Sequence, residues 1–183
     1  MAIQDRIRKL TYDDYAQIPD DGKRHEVIDG LEYVTPYPYP AHQRLLLDVY
    51  MQLASHIHEP EILLTYCDVV LSPHDIVQPD LFFVSKERLG IVTELNIQGP
   101  PDLVVEILAE QTRHLDEGLK PPLYEHTGVG EFWLVDGFRK RITVFRRVDS
   151  IFCRAPELSA EAEDMLATPL VPGLEIPLAE IFE

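Results

Sequence analysis

Two carboxylates interrupt the most apolar stretches of the chain. Glu106 breaks the run LVVEIL (103–108), and Asp80 opens the run DLFFV within IVQPDLFFVS (76–85). Burying an unpaired carboxylate costs several kcal/mol, so a partner of opposite charge is expected at both positions. Two such intrusions in neighbouring strands are rationalised by one shared cation. Oxygen-only ligands suit Mg2+ or Mn2+, which keep several waters for a substrate phosphate. The chemistry such a pair can do is phosphodiester hydrolysis. That reaction needs charge neutralised on the phosphate and a hydroxide-like water at neutral pH, and a bound divalent ion supplies both. Asp68, in YCDVVLS, is either a third member of the set or the end of a pairing ladder. Simpler readings exist for each acid: Pro79-Asp80 can be a strand start, and a strand glutamate can face solvent at a sheet edge or pair with an arginine.

The elements that would position these acids follow from periodicity and punctuation. Thr11 with Asp14 forms a capping-box pattern for a short helix. HEVID (25–29) and LEYVT (31–35) read as strands joined at Asp29-Gly30, a hairpin signal. Pro36, Pro38 and Pro40 alternate with Tyr37 and Tyr39, giving an extended connector. Residues 41–58 carry Leu45, Leu46, Val49, Leu53 and Ile57 at helical spacing and predict an amphipathic helix packed on a sheet. EILLTYCDVVLS (61–72) and IVQPDLFFVS (76–85) each read as one strand, joined at Pro73-His74-Asp75. LVVEIL is a central strand buried on both faces. A helical stretch to about Thr127 follows, then a turn at Gly128-Val129-Gly130 and the strands FWLVD (132–136), ITVFRR (142–147) and SIFCRA (150–155). Trp133 is core, and the tail from Thr168 ends in a short apolar element that docks on the body. Strands mixed with two main helices predict an α/β fold, a mixed sheet flanked by helices with an N-terminal β-hairpin.

The bulk composition bounds this reading. The 183 residues fit a single domain, 1–183, and the 45% apolar content is that of a globular chain. No apolar run approaches the roughly 20 residues needed to span a bilayer, and the N-terminus lacks an apolar signal core, so a soluble cytoplasmic protein is expected. Cys67 and Cys153 stand apart beside apolar neighbours and read as buried free thiols, and the scattered histidines make no zinc pattern. Sixteen basic against 32 acidic residues give a net charge of −16, which excludes a protein built to coat nucleic acid non-specifically. Local basic patches or bridging metal ions remain open to such a chain.

Seven stretches then place the chain more narrowly: RHEVIDG (24–30), AHQRL (41–45), VQPDLFFVSKER (77–88), IQGPPDLVVEIL (97–108), DEGLK (116–120), LYEHTGVGEFWLVD (123–136) and PLVPGLEIPLAEIF (169–182). In this order they resemble the Uma2 family of endonucleases, within the restriction-endonuclease-like PD-(D/E)xK superfamily. The resemblance implies that Asp80 and Glu106 are metal ligands, joined by the backbone carbonyl of Ile107. It implies that Lys120 is a catalytic lysine moved from the strand to the following helix, and that Glu26 completes the acidic site. It further implies Mg2+ or Mn2+ as cofactor, DNA as substrate, and a homodimer. The lysine's compact ammonium would orient the water or stabilise the phosphorane.

The chain departs from the family pattern after Glu106. Ala109-Glu110-Gln111 stands where relatives carry a Ser-Pro-Ser/Thr turn, and Pro121-Pro122 follows Lys120 directly. Proline disfavours α geometry in the residue before it, so a helix break at Gly118–Lys120 and a restart at Pro121 are expected. Arg113 and His114 are substitutes if Lys120 cannot reach. His42 and Arg44 open the long helix and are candidate phosphate contacts, with a purely structural role open for His42. Tyr37 and Tyr39 either stack on bases or pack on the fold. Three functions compete: a metal-dependent DNA endonuclease, a non-catalytic binding or assembly protein on a degraded nuclease fold, and a hydrolase of another phosphoester.

Overall fold

Local signals set most element boundaries in the computed structural model, which describes residues 8–58 and 61–182. Thr11 caps α1 (Tyr12–Tyr15), with both halves of the capping box made. β1 (Arg24–Ile28) and β2 (Leu31–Thr35) pair antiparallel, Ile28 facing Leu31. Asp29 and Gly30 between them take φ 50° and 76°, the left-handed pair that a two-residue primed turn demands. Pro40 begins α2 (Pro40–Ala54), which buries Leu46, Val49 and Leu53. The expected reach to residue 58 is not realised: the Ser55 hydroxyl and the His56 ring both engage the Gln52 carbonyl, and the His56 N–H turns to the Leu53 carbonyl instead.

The two long runs that follow each split in two. The first gives β3 (Ile62–Leu64) and β4 (Val69–Ser72), divided where Tyr66 takes φ 50°. The second gives β5 (Asp75–Val77) and β6 (Leu81–Val84), divided at Gln78-Pro79-Asp80. Pro79 has no N–H to donate, and the Gln78 N–H and carbonyl are taken by the side chains of Glu26 and Arg24. Asp80 therefore lies just before a strand rather than within one.

Beyond these come β7 (Ile97–Gln98) and β8 (Leu103–Ile107). The helical stretch does not break before the prolines. A π-helical turn, Leu115–Leu119, runs straight into α3 (Lys120–Thr127), with Lys120 at φ −70° and ψ −39° although Pro121 follows. The wider turn, in which the Lys120 N–H reaches the Leu115 carbonyl, relieves the clash a proline ring makes in a regular helix. β9 (Glu131–Asp136), β10 (Arg141–Val148), β11 (Ile151–Arg154), β12 (Leu158–Ser159), β13 (Met165–Leu166), β14 (Ile176–Pro177) and α4 (Leu178–Ile181) complete the chain.

The strands form two main sheets rather than one. The larger runs β11-β10-β9-β8-β6-β3, with β12 also on β10; β8 is parallel to β9 and antiparallel to β6. The smaller runs β2-β1-β5-β4-β7, and β13 pairs with β14. Alternation divides the larger sheet's side chains between two cores. Leu81, Phe83, Val105, Trp133 and Val135 pack with α2 and α4. Phe82, Val104, Phe132 and Leu134 pack with α3 and with Ile28, Val69 and Val77 of the smaller sheet. Glu106 lies on this second face. Trp133 is fully buried, as expected, but Cys153 is exposed, because β11 is an outer strand, and Cys67, in the connection between β3 and β4, is only half-buried. Among the described residues no helix is long and apolar enough to cross a membrane.

Candidate active site

The site lies where the chain crosses between the sheets. Alternation along β1 puts Arg24, Glu26 and Ile28 on one side, and all three are buried. Asp80 precedes Leu81, which pairs with Val105, so its backbone faces Glu106; the Asp80 N–H lies 3.4 Å from Glu106 Oε2. From the helical side, Asp116, Lys120 and Tyr124 follow at four-residue spacing and reach the same point. At the start of α2, His42 closes the group.

Lys120 is the hub. Its Nζ lies 3.0 Å from Glu106 Oε1, 3.1 Å from Asp116 Oδ1 and 3.2 Å from Glu26 Oε1. Its exposure is 2%, so these carboxylates replace its water. Tyr124 donates to Glu106 Oε1 at 2.6 Å, Thr112 to Asp116 Oδ2 at 2.6 Å, and the Gln78 N–H to Glu26 Oε1 at 2.9 Å. The second centre is Asp80. Oδ1 receives Arg24 Nη1 at 3.1 Å and Oδ2 receives the Ile107 N–H at 2.8 Å. His42 Nε2 lies 3.2 Å from Asp80 Oδ2 and 3.0 Å from the Ile107 carbonyl oxygen. Both neighbours only accept, so Nε2 carries hydrogen. His42 Nδ1 and Arg24 Nε are buried with no partner among the described residues.

Charge is out of balance here. Four buried carboxyls (Glu26, Asp80, Glu106 and Asp116) face two fixed cations, Arg24 and Lys120. Burial pushes the Glu106 carboxyl up to about 8, only partly opposed by Lys120. Burial also raises Asp116 despite Lys120. At Asp80 burial acts the same way, but the His42 hydrogen bond and the Arg24 charge outweigh it and hold the group below its ordinary value. Lys120 loses solvation, yet Glu106, Glu26 and Asp116 hold it well above the usual lysine range. A cavity of about 30 Å³ remains among Arg24, Glu26, His42, Asp80, Glu106 and Lys120. It admits an ion or one or two waters, so a polymeric substrate would meet it from the mouth.

The sequence-predicted Asp80, Glu106, Lys120 and Glu26 thus come together, with the Ile107 carbonyl and His42 beside them. Asp68 does not join them: just before β4, it accepts from Tyr15 of α1 and from Gln78, which follows β5. Arg113 pairs with Glu117, and neither it nor His114 lines the cavity. Arg44 is exposed beside Asp48. Tyr37 and Tyr39 are exposed at 60% and 63% and line the cavity mouth rather than packing away. Sequence reasoning missed Arg24, Asp116 and Tyr124. Arg24 had a signal, two residues before Glu26 on a strand, and Asp116 and Tyr124 stand four residues either side of Lys120.

Oxygen donors suited to Mg2+ or Mn2+ are present, and with all four carboxyls ionised the two negative charges beyond Arg24 and Lys120 would match the charge of one divalent ion. Among the described residues no three His, Cys, Asp or Glu side chains form a ready-made cage. A hard ion held by one or two carboxylates with water and substrate phosphate does not need one.

Comparison with known proteins bears on the family and the fold. The model of the Uma2 family, described as "Putative restriction endonuclease", matches residues 12–179. A solved structure similar to this one is that of "a putative nuclease belonging to DUF820" from Anabaena variabilis. It has 17% sequence identity and a TM-score of 0.75, covering 94% of this chain and 97% of that one. At that identity the likeness speaks for the fold. Among curated proteins, none matches.

Proposed function

The chain belongs to the Uma2 family, and from that premise we propose that it is a Mg2+- or Mn2+-dependent endonuclease hydrolysing phosphodiester bonds of DNA. The observation that carries this reading is the charge imbalance: four buried carboxyls around two fixed cations, with Glu106 driven towards its neutral form by burial. A structural cluster would be balanced; this one, with all four carboxyls ionised, would carry two negative charges that Arg24 and Lys120 do not answer, and burial meets part of that by driving Glu106 towards its neutral form. Asp80, Glu106 and the Ile107 carbonyl are the oxygens that would hold the ion. When bound, the ion would lower the pKa of a water and withdraw charge from the phosphate.

The chain's own residues supply the rest. Glu26 and Asp116 hold Lys120 from two sides, so its ammonium is a fixed point charge for the phosphoryl oxygens. The Ile107 N–H and Arg24 fix the Asp80 carboxylate from opposite ends, orienting it without using all of its lone pairs. Tyr124 orients Glu106 in the same way. Plasmid nicking in Mg2+ or Mn2+ that disappears in Asp80→Ala and Glu106→Ala is the expected outcome. Equal cleavage by wild type and both variants would show that the activity belongs to something else.

One observation favours a second reading, a non-catalytic binding or assembly protein on a nuclease fold. Arg24 and His42 already occupy Asp80, and His42 also takes the Ile107 carbonyl. In that reading the two side chains replace the ion permanently. Calorimetry separates the two: sub-millimolar Mn2+ affinity that vanishes in Asp80→Ala removes the second reading.

A further inference from the structure

We propose that the β9–β10 turn, residues 137–140, together with the groove that joins it to the active-site cavity, is the docking face for the phosphate backbone of a nucleic acid. This deepens the endonuclease reading and rests on it.

Three facts converge on this turn. It opens GFRKR (137–141), three consecutive cations in a chain that has only sixteen. They are unequally engaged: Arg141 pairs with Glu157 at 2.7 Å, Arg139 only reaches Asp136 at 3.9 Å, and Lys140 makes no ion pair with a described residue. Ahead of them Phe138 is 96% exposed, the most exposed large apolar side chain among the described residues. A lone exposed phenylalanine is ordinary. One set beside unspent cations has the composition of a single-strand or groove-binding contact, a ring to stack and charges to neutralise phosphate.

The turn is also rigidly placed relative to the site. Gly137 lies so close to α2 that an added Cβ would fall 2.6 Å from Leu45 Cδ2. His42 stands one helical turn earlier on the same helix. A groove of about 710 Å³ runs between them, with Arg44, Phe138 and Lys140 on its walls, and Tyr39, His42, Ala109 and Gln111 line both it and the catalytic cavity. Acidic groups face it too: Asp48 and Glu110 along the groove and Glu161 beside the turn. Asp48 is partly answered by Arg44, and Glu110 by Arg113. On a molecule of net charge −16 a polyanion is repelled over most of the surface, so a face with unspent cations that leads into the cavity is where it can approach.

The test is fluorescence anisotropy of a labelled duplex and a labelled single strand with full-length protein in EDTA, over a salt series. Arg139→Gln/Lys140→Gln should weaken duplex binding roughly tenfold or more and lower the slope of log K against log salt by about 2. Phe138→Ala should weaken single-strand binding about tenfold. Both variants should unfold at the wild-type temperature and keep wild-type Mn2+ affinity, so the loss is not one of folding or of the metal site. Unchanged affinity and slope overturn the proposal. So does a shift from dimer to monomer with binding intact, which would make the turn a contact between copies of this chain. A wild type that binds Mn2+ but neither nucleic acid overturns the docking face alone; one that binds none of the three overturns the endonuclease reading as well.

Discussion

Glu106 and Glu131 stand on adjacent parallel strands, β8 and β9, and both are almost completely buried. Their surroundings differ in one respect. Glu131 receives the Trp133 indole N–H at 2.6 Å, Arg146 Nε at 3.0 Å and the Thr168 hydroxyl at 3.1 Å. That is one acid, one cation and two neutral donors, and the account closes. Around Glu106, four acids share two fixed cations, and among the described residues a buried nitrogen on each of Arg24 and His42 has no partner. A buried carboxylate is therefore no sign of a site by itself. The imbalance around it is the sign, since a balanced cluster holds the fold together while an unbalanced one awaits another charge.

Several substitutions would break or sharpen this contrast. The largest effect should be on cleavage: Asp80→Asn and Glu106→Gln should each reduce Mn2+-dependent DNA nicking by roughly a thousandfold, about 4 kcal/mol of barrier. Glu131→Gln should leave it within about threefold when assayed well below its unfolding temperature. A matching loss in Glu131→Gln would end the distinction.

Stability comes next. Lys120→Met strands three carboxylates without their cation and should cost about 3–5 kcal/mol in urea denaturation. Arg146→Met should cost about 1–3 kcal/mol, because Arg146 is partly exposed and Trp133 and Thr168 still donate to Glu131. Smaller and opposite in sign is Asp116→Asn, which removes one surplus charge and keeps an acceptor for Thr112. It should stabilise the metal-free protein by about 0.5–1 kcal/mol, whereas Glu131→Gln should destabilise it. If both lower stability equally, the two clusters are alike.

The smallest effect lies outside both clusters. On the hairpin, hydrogen bonds to Asp21 and Glu32 raise the His25 pKa above its ordinary 6.5. A group whose folded pKa is raised adds stability that is full below the unfolded value and is lost as pH rises through the folded one. His25→Gln should thus lower the urea midpoint slightly at pH 5.5 and leave it unchanged at pH 8.5. An equal change at both values would show that the effect is not protonation.

Much of this was legible in the sequence, and what was not has physical causes. Alternation and turn chemistry marked the hairpin at Asp29-Gly30 and the buried strand around Glu106, because both are local. The breaks at Tyr66 and at Gln78–Asp80 were hidden inside continuous β-prone runs: a left-handed tyrosine has no signature, and the Gln78 backbone is diverted by Glu26 and Arg24 from fifty residues away. The prolines after Lys120 argued for a break, but a π-helical turn absorbs them and carries the ammonium to Glu106. Sequence could nominate the acids of the site. It could not count the cations facing them, and that count separates Glu106 from Glu131.

Calorimetric titration of Mn2+ into the metal-free protein tests the central claim most directly. One site per chain that is lost in Asp80→Asn and retained in Glu131→Gln is the result expected from the surplus charge. No binding to wild type, or binding that survives Asp80→Asn unchanged, would contradict it.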